Sequence, residues 1–246
     1  MSSTHTIDQL RALRLSGMAE AFGHQLTDLL SSSLSFEQRV QMMVEAELSV
    51  RDTQRYQRIL KAAKLKVVAS PEEIDFRQGR GLDKSAMADL LTCSWIQAHR
   101  NLLVTGATGT GKTWLACALG VQAARKGMTV AYRRTARMFE EMSIGHQDGT
   151  VARQRNQLAR VQLLILDDFG LTALTSRGRS DLLELLDDRV GSGSTIILGQ
   201  MPVKEWHSYI NDPALADAIL DRLVHSSVKL ELKGESMRRV RTRGGQ

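Results

Sequence analysis

Residues 106–113 read GATGTGKT and stand between the apolar NLLVTG and the run KTWLACALGVQAARKG. The pattern is G-x-x-x-x-G-K-T, placed where a strand turns into a helix, which is the setting a phosphate-binding loop needs. Gly106, Gly109 and Gly111 let the backbone wrap closely round an anion, with Ala107, Thr108 and Thr110 completing the loop, so that successive N–H groups point inward. The following helix adds the positive end of its dipole. Lys112 can reach the β- and γ-phosphates, and Thr113 offers a hydroxyl to Mg²⁺. A chance glycine-rich turn would not require a strand before it and a helix after it. The stretch therefore predicts a P-loop fold with ATP and magnesium as cofactors.

Outward from this loop, strands and helices alternate. NLLVTG, MTVAYR, VQLLILDD and STIILGQ read as strands. The run from Lys112 is a helix stopped by Gly127, and RSDLLELLDDRVG carries a leucine stripe above a charged face. This order predicts an α/β fold, a parallel sheet with helices on both faces. The first seventy or so residues lack strand alternation. Ser35 with Gln38 fits a capping box, and Phe36, Val40, Met43, Val44, Tyr56, Ile59, Leu60 and Ala63 recur at roughly helical spacing. SPEE at 70–73 reads as another helix start, with Glu73 closing a box on Ser70. We place a boundary there: a small all-helical domain over 1–69 and the ATP-binding domain over 70–246.

A P-loop protein needs a second strand, ending in acid beside the first, to hold its metal. LLILDDFG, residues 163–170, is such a strand. Asp167 is the expected magnesium carboxylate. Asp168 falls where many ATPases carry the residue that orients or deprotonates the attacking water, usually glutamate. The alternative for Asp168 is an ordinary loop carboxylate bonded to nearby backbone.

The 246 residues carry a formal net charge of +6, with 42% hydrophobic and 24% charged residues, as expected of a globular chain. No apolar run reaches the ~20 residues of a membrane span, and the start lacks a signal-peptide core. Cys93 and Cys117 match no metal or redox spacing. A reduced, cytoplasmic protein is the expectation. Arg51, Arg55, Arg58, Lys61, Lys64 and Lys66 cluster against Asp52 alone, and Arg238, Arg239, Arg241 and Arg243 crowd the tail. Such clusters suit an anionic partner such as nucleic acid, or are simply a solvated helix face and tail.

GATGTGKT, LLILDDFG, GQMPVKEWH, DAILDRLVH and LKGESMRR, after a basic helical N-terminal segment, resemble the IstB-like ATPases over nearly the whole chain. These are AAA+ proteins encoded beside the transposase of a bacterial insertion sequence and related to the DnaC helicase loader. The resemblance implies catalytic roles for Lys112, Asp167 and Asp168 and adds three residues. Gln200 falls where AAA+ proteins sense the γ-phosphate or its water; otherwise it is a turn residue before Pro202. Arg222 resembles the arginine finger that one subunit inserts into its neighbour's site, offsetting charge on the phosphoryl oxygens. Otherwise it is a surface ion pair with Asp217 or Asp221. Arg238 is a second phosphate sensor or a solvated or DNA-facing charge.

If Arg222 acts in trans, ATP binding is linked to homo-oligomer assembly. The segment between the second and third strands is long enough for two helices and carries Arg133, Arg134, Arg137, Arg153, Arg155 and Arg160. Together with the Arg51–Lys66 cluster these are candidate contacts to the backbone of duplex DNA, largely independent of sequence. The expected function is a DNA-binding ATPase that assembles on target DNA, presents it to the cognate transposase and is reset by hydrolysis. No zinc finger, helix-turn-helix or trio of spaced carboxylates points to sequence reading or to strand transfer. The competing readings are a replicative helicase loader, a small-molecule kinase, and a scaffold that binds ATP with little turnover.

Overall fold

The computed structural model describes residues 3–76, 81–225, 227–234 and 236–237. The strands are β1 (Asn101–Gly106), β2 (Val130–Arg134), β3 (Leu163–Phe169), β4 (Ser194–Gly199) and β5 (Ser227–Leu232). The helices are α1 (Ser3–Ala12), α2 (Ser16–Thr27), α3 (Phe36–Ala63), α4 (Lys84–Leu91), α5 (Ser94–Gln97), α6 (Lys112–Arg125), α7 (Thr135–Asp148), α8 (Val151–Ala159), α9 (Ser176–Arg189), α10 (Trp206–Ile210) and α11 (Pro213–Val224).

β1, β3 and β4 are apolar without alternation, which a strand tolerates where both sheet faces are covered. They form the middle of a five-stranded sheet ordered β2-β3-β4-β1-β5, in which every pairing is parallel. One face packs on α6, where Gly120 leaves room for Ile165 and Val130. On the other, Leu103, Leu164, Leu166 and Ile197 meet Met138 and Met142 of α7, Leu182 and Leu186 of α9, and Ile219 and Leu223 of α11. The expected α/β architecture is the observed one. The acidic strand, however, is not beside β1: β4 lies between them. The end of β4 consequently enters the site between the phosphate loop and the carboxylates.

The chain forms two compact units, one ending at Arg58 and the other beginning at Ile59, within α3. In the first unit the capping box forms as expected, with Gln38 N–H donating to Ser35 Oγ (3.2 Å) and Ser35 N–H to Gln38 Oε1 (2.9 Å). Glu47, buried on α3, accepts from the Gly17 N–H of α2 at 2.8 Å. SPEE does not start an α-helix. Pro71–Glu73 is a single 3₁₀ turn, and the Ser70 hydroxyl bonds Glu72 rather than a helix N–H, so no box closes on Glu73. The next helix, α4, is capped by Asp83 through the Ala86 N–H. Among the described residues no helix is long and apolar enough to cross a membrane.

Candidate functional site

The loop after β1 takes three left-handed turns that only glycine enters without strain: Gly106, Gly109 and Gly111 have φ of 145°, 87° and 92°. A Cβ at Gly106 would collide with the Leu232 carbonyl of β5. At Gly109 it would collide with Ser236, whose neighbour Met237 donates its N–H to the Gly109 carbonyl at 2.9 Å. Lys112 folds back over the loop, its Nζ 2.6 Å from the Gly106 carbonyl and 2.9 Å from that of Ala107. Its burial lowers the ammonium's pKa, against an opposing pull from Asp167 and Asp168. A cavity of about 270 Å³ opens over the loop, lined by Lys112, Thr113, Asp167, Asp168 and Gln200, and by Lys66 and Trp114.

Successive side chains on a regular strand point to opposite faces, so neighbouring aspartates should not share a pocket. The sheet register resolves this. Leu166 pairs with Ile197 and Phe169 with Gly199, so two residues of β3 stand opposite one of β4. The extra residue makes a bulge, and Asp168 takes φ of 61°, a left-handed conformation that aspartate tolerates better than most residues. Both carboxylates thereby reach the same cavity.

The two have different surroundings. Asp167 is buried, and its Oδ2 accepts from Thr113 Oγ1 (2.9 Å), Tyr132 OH (2.6 Å) and Lys66 Nζ (3.4 Å). Its Oδ1 accepts the Asp168 N–H at 2.8 Å, and Thr135 Oγ1 donates to its backbone carbonyl at 2.8 Å. Asp168 is more open, with Oδ2 3.1 Å from Arg134 Nε. Thr113 and Asp167 together are a hydroxyl and a carboxylate, the hard-oxygen donors that magnesium and calcium prefer. Gln200 follows β4, and its Oε1 accepts from Thr108 Oγ1 at 2.8 Å.

Arg222 lies elsewhere. Asn101, at the start of β1, donates its side-chain N–H to the Arg222 carbonyl (2.9 Å), whereas the phosphate loop follows the other end of that strand. Five strand steps separate the two ends by about 16 Å. The guanidinium pairs with Asp187 of α9 and donates to the Ala218 carbonyl at 2.8 Å. The ion pair is thus with neither Asp217, which faces His207, nor Asp221. Arg238 lies outside the described residues.

Among the candidate DNA contacts, Arg51, Arg55, Arg58 and Lys61 are exposed on α3, and Arg153 is exposed on α8. Arg133 donates to the Tyr132 carbonyl, Arg137 pairs with Glu141, and Arg155 with Glu184 and Asp188. Arg134 is engaged at Asp168. Sequence reasoning missed Lys66, Tyr132, Met237 and Asp187. A basic Lys66 was noted only as part of a cluster, and nothing local in the sequence brings the others to their partners.

A parallel sheet ordered β2-β3-β4-β1-β5, with a phosphate loop after β1 and acids at the end of β3, defines a P-loop nucleotide-binding protein of the AAA+ fold. Residues 8–244 match the family described as IstB-like ATP binding protein, and the chain belongs to that family. It is 45% identical to an insertion sequence ATP-binding protein of Sinorhizobium fredii, over 97% of both chains. Its fold is similar to that of the replication initiator DnaA bound to AMPPCP and single-stranded DNA (TM-score 0.56, 18% identity, 74% of this chain and 55% of that one). It is also similar to that of the DnaC helicase loader (TM-score 0.51, 17% identity, 72% of this chain and 99% of that one).

Proposed function

We propose that this protein is an ATP-hydrolysing switch of transposition. It assembles on duplex DNA largely without reading sequence, presents that DNA to the transposase of its insertion sequence, and is reset by hydrolysis. The observation that carries the reading is the separation of one set of catalytic groups between the two ends of β1. Lys112, Asp167 and Asp168 line the cavity at one end, while Arg222 lies at the other, too far away to serve its own phosphate loop. A guanidinium in that position suits a neighbouring copy's phosphates, so ATP and oligomer assembly support one another.

Within one copy, the loop N–H groups and Lys112 hold the phosphates. Thr113 and Asp167 fit magnesium, which when bound offsets charge on the β- and γ-oxygens. Asp168, turned into the cavity by the bulge, orients the attacking water and accepts its proton, and Gln200 stands by the γ-phosphate. The insertion-sequence relative supports the link to transposition, and the exposed arginines of α3 support backbone contact with DNA.

Size measurement with ATP or ADP, with and without duplex DNA, at two salt concentrations tests the proposal. The expected result is a large species formed with ATP and DNA and dispersed by salt. A monomer under every condition would refute both the trans arginine and the assembly. Pull-down against transposase and replicative helicase separates this reading from that of a helicase loader.

A further inference from the structure

Four donors crowd the Asp167 carboxylate, and three of them share Oδ2. The two short bonds there come from neutral hydroxyls, Thr113 Oγ1 at 2.9 Å and Tyr132 OH at 2.6 Å. The longest comes from the one cation on that oxygen among the described residues, Lys66 Nζ at 3.4 Å. A carboxylate oxygen has room for about two strong donors, so Oδ2 is over-subscribed. A buried carboxylate nevertheless needs a positive partner, and Asp167 is only 3% exposed. Lys66 is 38% exposed, so its ammonium can swing into water on its flexible stem without a large desolvation cost. It also lines the nucleotide cavity, although it precedes the phosphate loop by some forty residues in the chain.

We infer that Lys66 is the resident counter-cation of the nucleotide site, held on Asp167 until a divalent ion takes its place. The inference rests on the reading of Thr113 and Asp167 as magnesium-binding residues. A doubly charged ion at that carboxylate and an ammonium on the same oxygen repel one another and compete for one position. Loading the site is therefore a cation exchange: Asp167 is never left uncompensated, and magnesium must displace a charge that the chain itself supplies. Lys112 is distinct in role: its ammonium donates to the carbonyls of Gly106 and Ala107, over the phosphate loop, rather than to Asp167.

The test is a magnesium titration of nucleotide binding, using a non-hydrolysable ATP analogue, for the wild type, Lys66→Met and Lys66→Arg. The half-saturating magnesium concentration is expected to fall by about fivefold in Lys66→Met, the scale of a partly exposed ion pair, and to stay near wild type in Lys66→Arg. Thermal melts supply a second reading: Lys66→Met should melt below wild type in EDTA, and the gap should close with magnesium and nucleotide. An unchanged or raised half-saturation in Lys66→Met, or a gap that persists in the loaded protein, overturns the exchange and leaves Lys66 a structural residue. Nucleotide binding by the wild type that ignores magnesium altogether overturns the metal reading, and the inference with it.

Discussion

Tyr132 donates the shortest of the bonds that hold Asp167, from a side chain that is itself buried on β2. Burial first, and the adjoining carboxylate second, raise its hydroxyl well above the ordinary tyrosine value, so it remains a donor throughout the physiological range. Its removal leaves Thr113 and Lys66 to hold Oδ2. A hydrogen bond to a charged group is worth about 1.5–3 kcal/mol, and with two donors remaining Tyr132→Phe should cost about 1.5 kcal/mol in denaturant unfolding at pH 7. The sign with pH follows from the raised value. The stabilisation is complete below about pH 10 and declines above it, where the unfolded tyrosine ionises while the folded one stays neutral. The difference between wild type and Tyr132→Phe should therefore narrow in alkali, and equal stability at pH 7 would show that the hydroxyl holds nothing. Lys112, Thr113 and Asp167 were legible in the sequence because a phosphate loop and an acidic strand end are local patterns. Tyr132 and Lys66 were not, because they meet Asp167 across 35 and 101 residues of chain.

Among elements, the packing of α9 against α11 sets what Arg222 does in an isolated copy. The Arg222–Asp187 pair joins the two helices with side chains 30% and 46% exposed, so it is a weak latch rather than a structural bridge. An arginine that must reach a neighbour's phosphate has to leave Asp187 first. Asp187→Asn should lower the protein concentration at which assembly-dependent ATPase activity reaches half its maximum, by up to about fivefold. Arg222→Ala should reduce maximal turnover about a thousandfold or more, the scale of arginine fingers elsewhere. Equal concentration curves for Asp187→Asn and the wild type would count against the latch. The four strands of the apolar runs and the helices between them could be read from sequence, since an unbroken apolar run and a leucine stripe are both local signals. β5 was missed because the strands were sought as unbroken apolar runs, whereas Lys229 and Glu231 alternate with Val228, Leu230 and Leu232 along a sheet edge. The bulge at Asp168 was equally hidden: it is a register between β3 and β4, and neither strand records it alone.

For the molecule as a whole, the net charge of +6 matters through where it is exposed. Arg51, Arg55 and Arg58 follow one another at spacings of four and three on α3, which keeps them within an arc of about 60°. Lysine and arginine facing a DNA backbone release counterions, and each phosphate neutralised adds about 0.9 to the slope of log affinity against log salt. Replacing all three by alanine should weaken binding to unrelated duplexes alike and reduce that slope by up to about 2.7. Arg51 already holds Glu47 at 2.7 Å, so its own contribution should fall short of a full phosphate contact. A companion variant, Arg137→Ala with Arg153→Ala, asks whether α7 and α8 carry the DNA instead. Loss of slope in the companion and not in the triple variant would move the DNA surface from α3 to that pair of helices. An affinity that changes for one duplex and not another would contradict sequence-independent binding, since backbone charge has no means of telling base pairs apart.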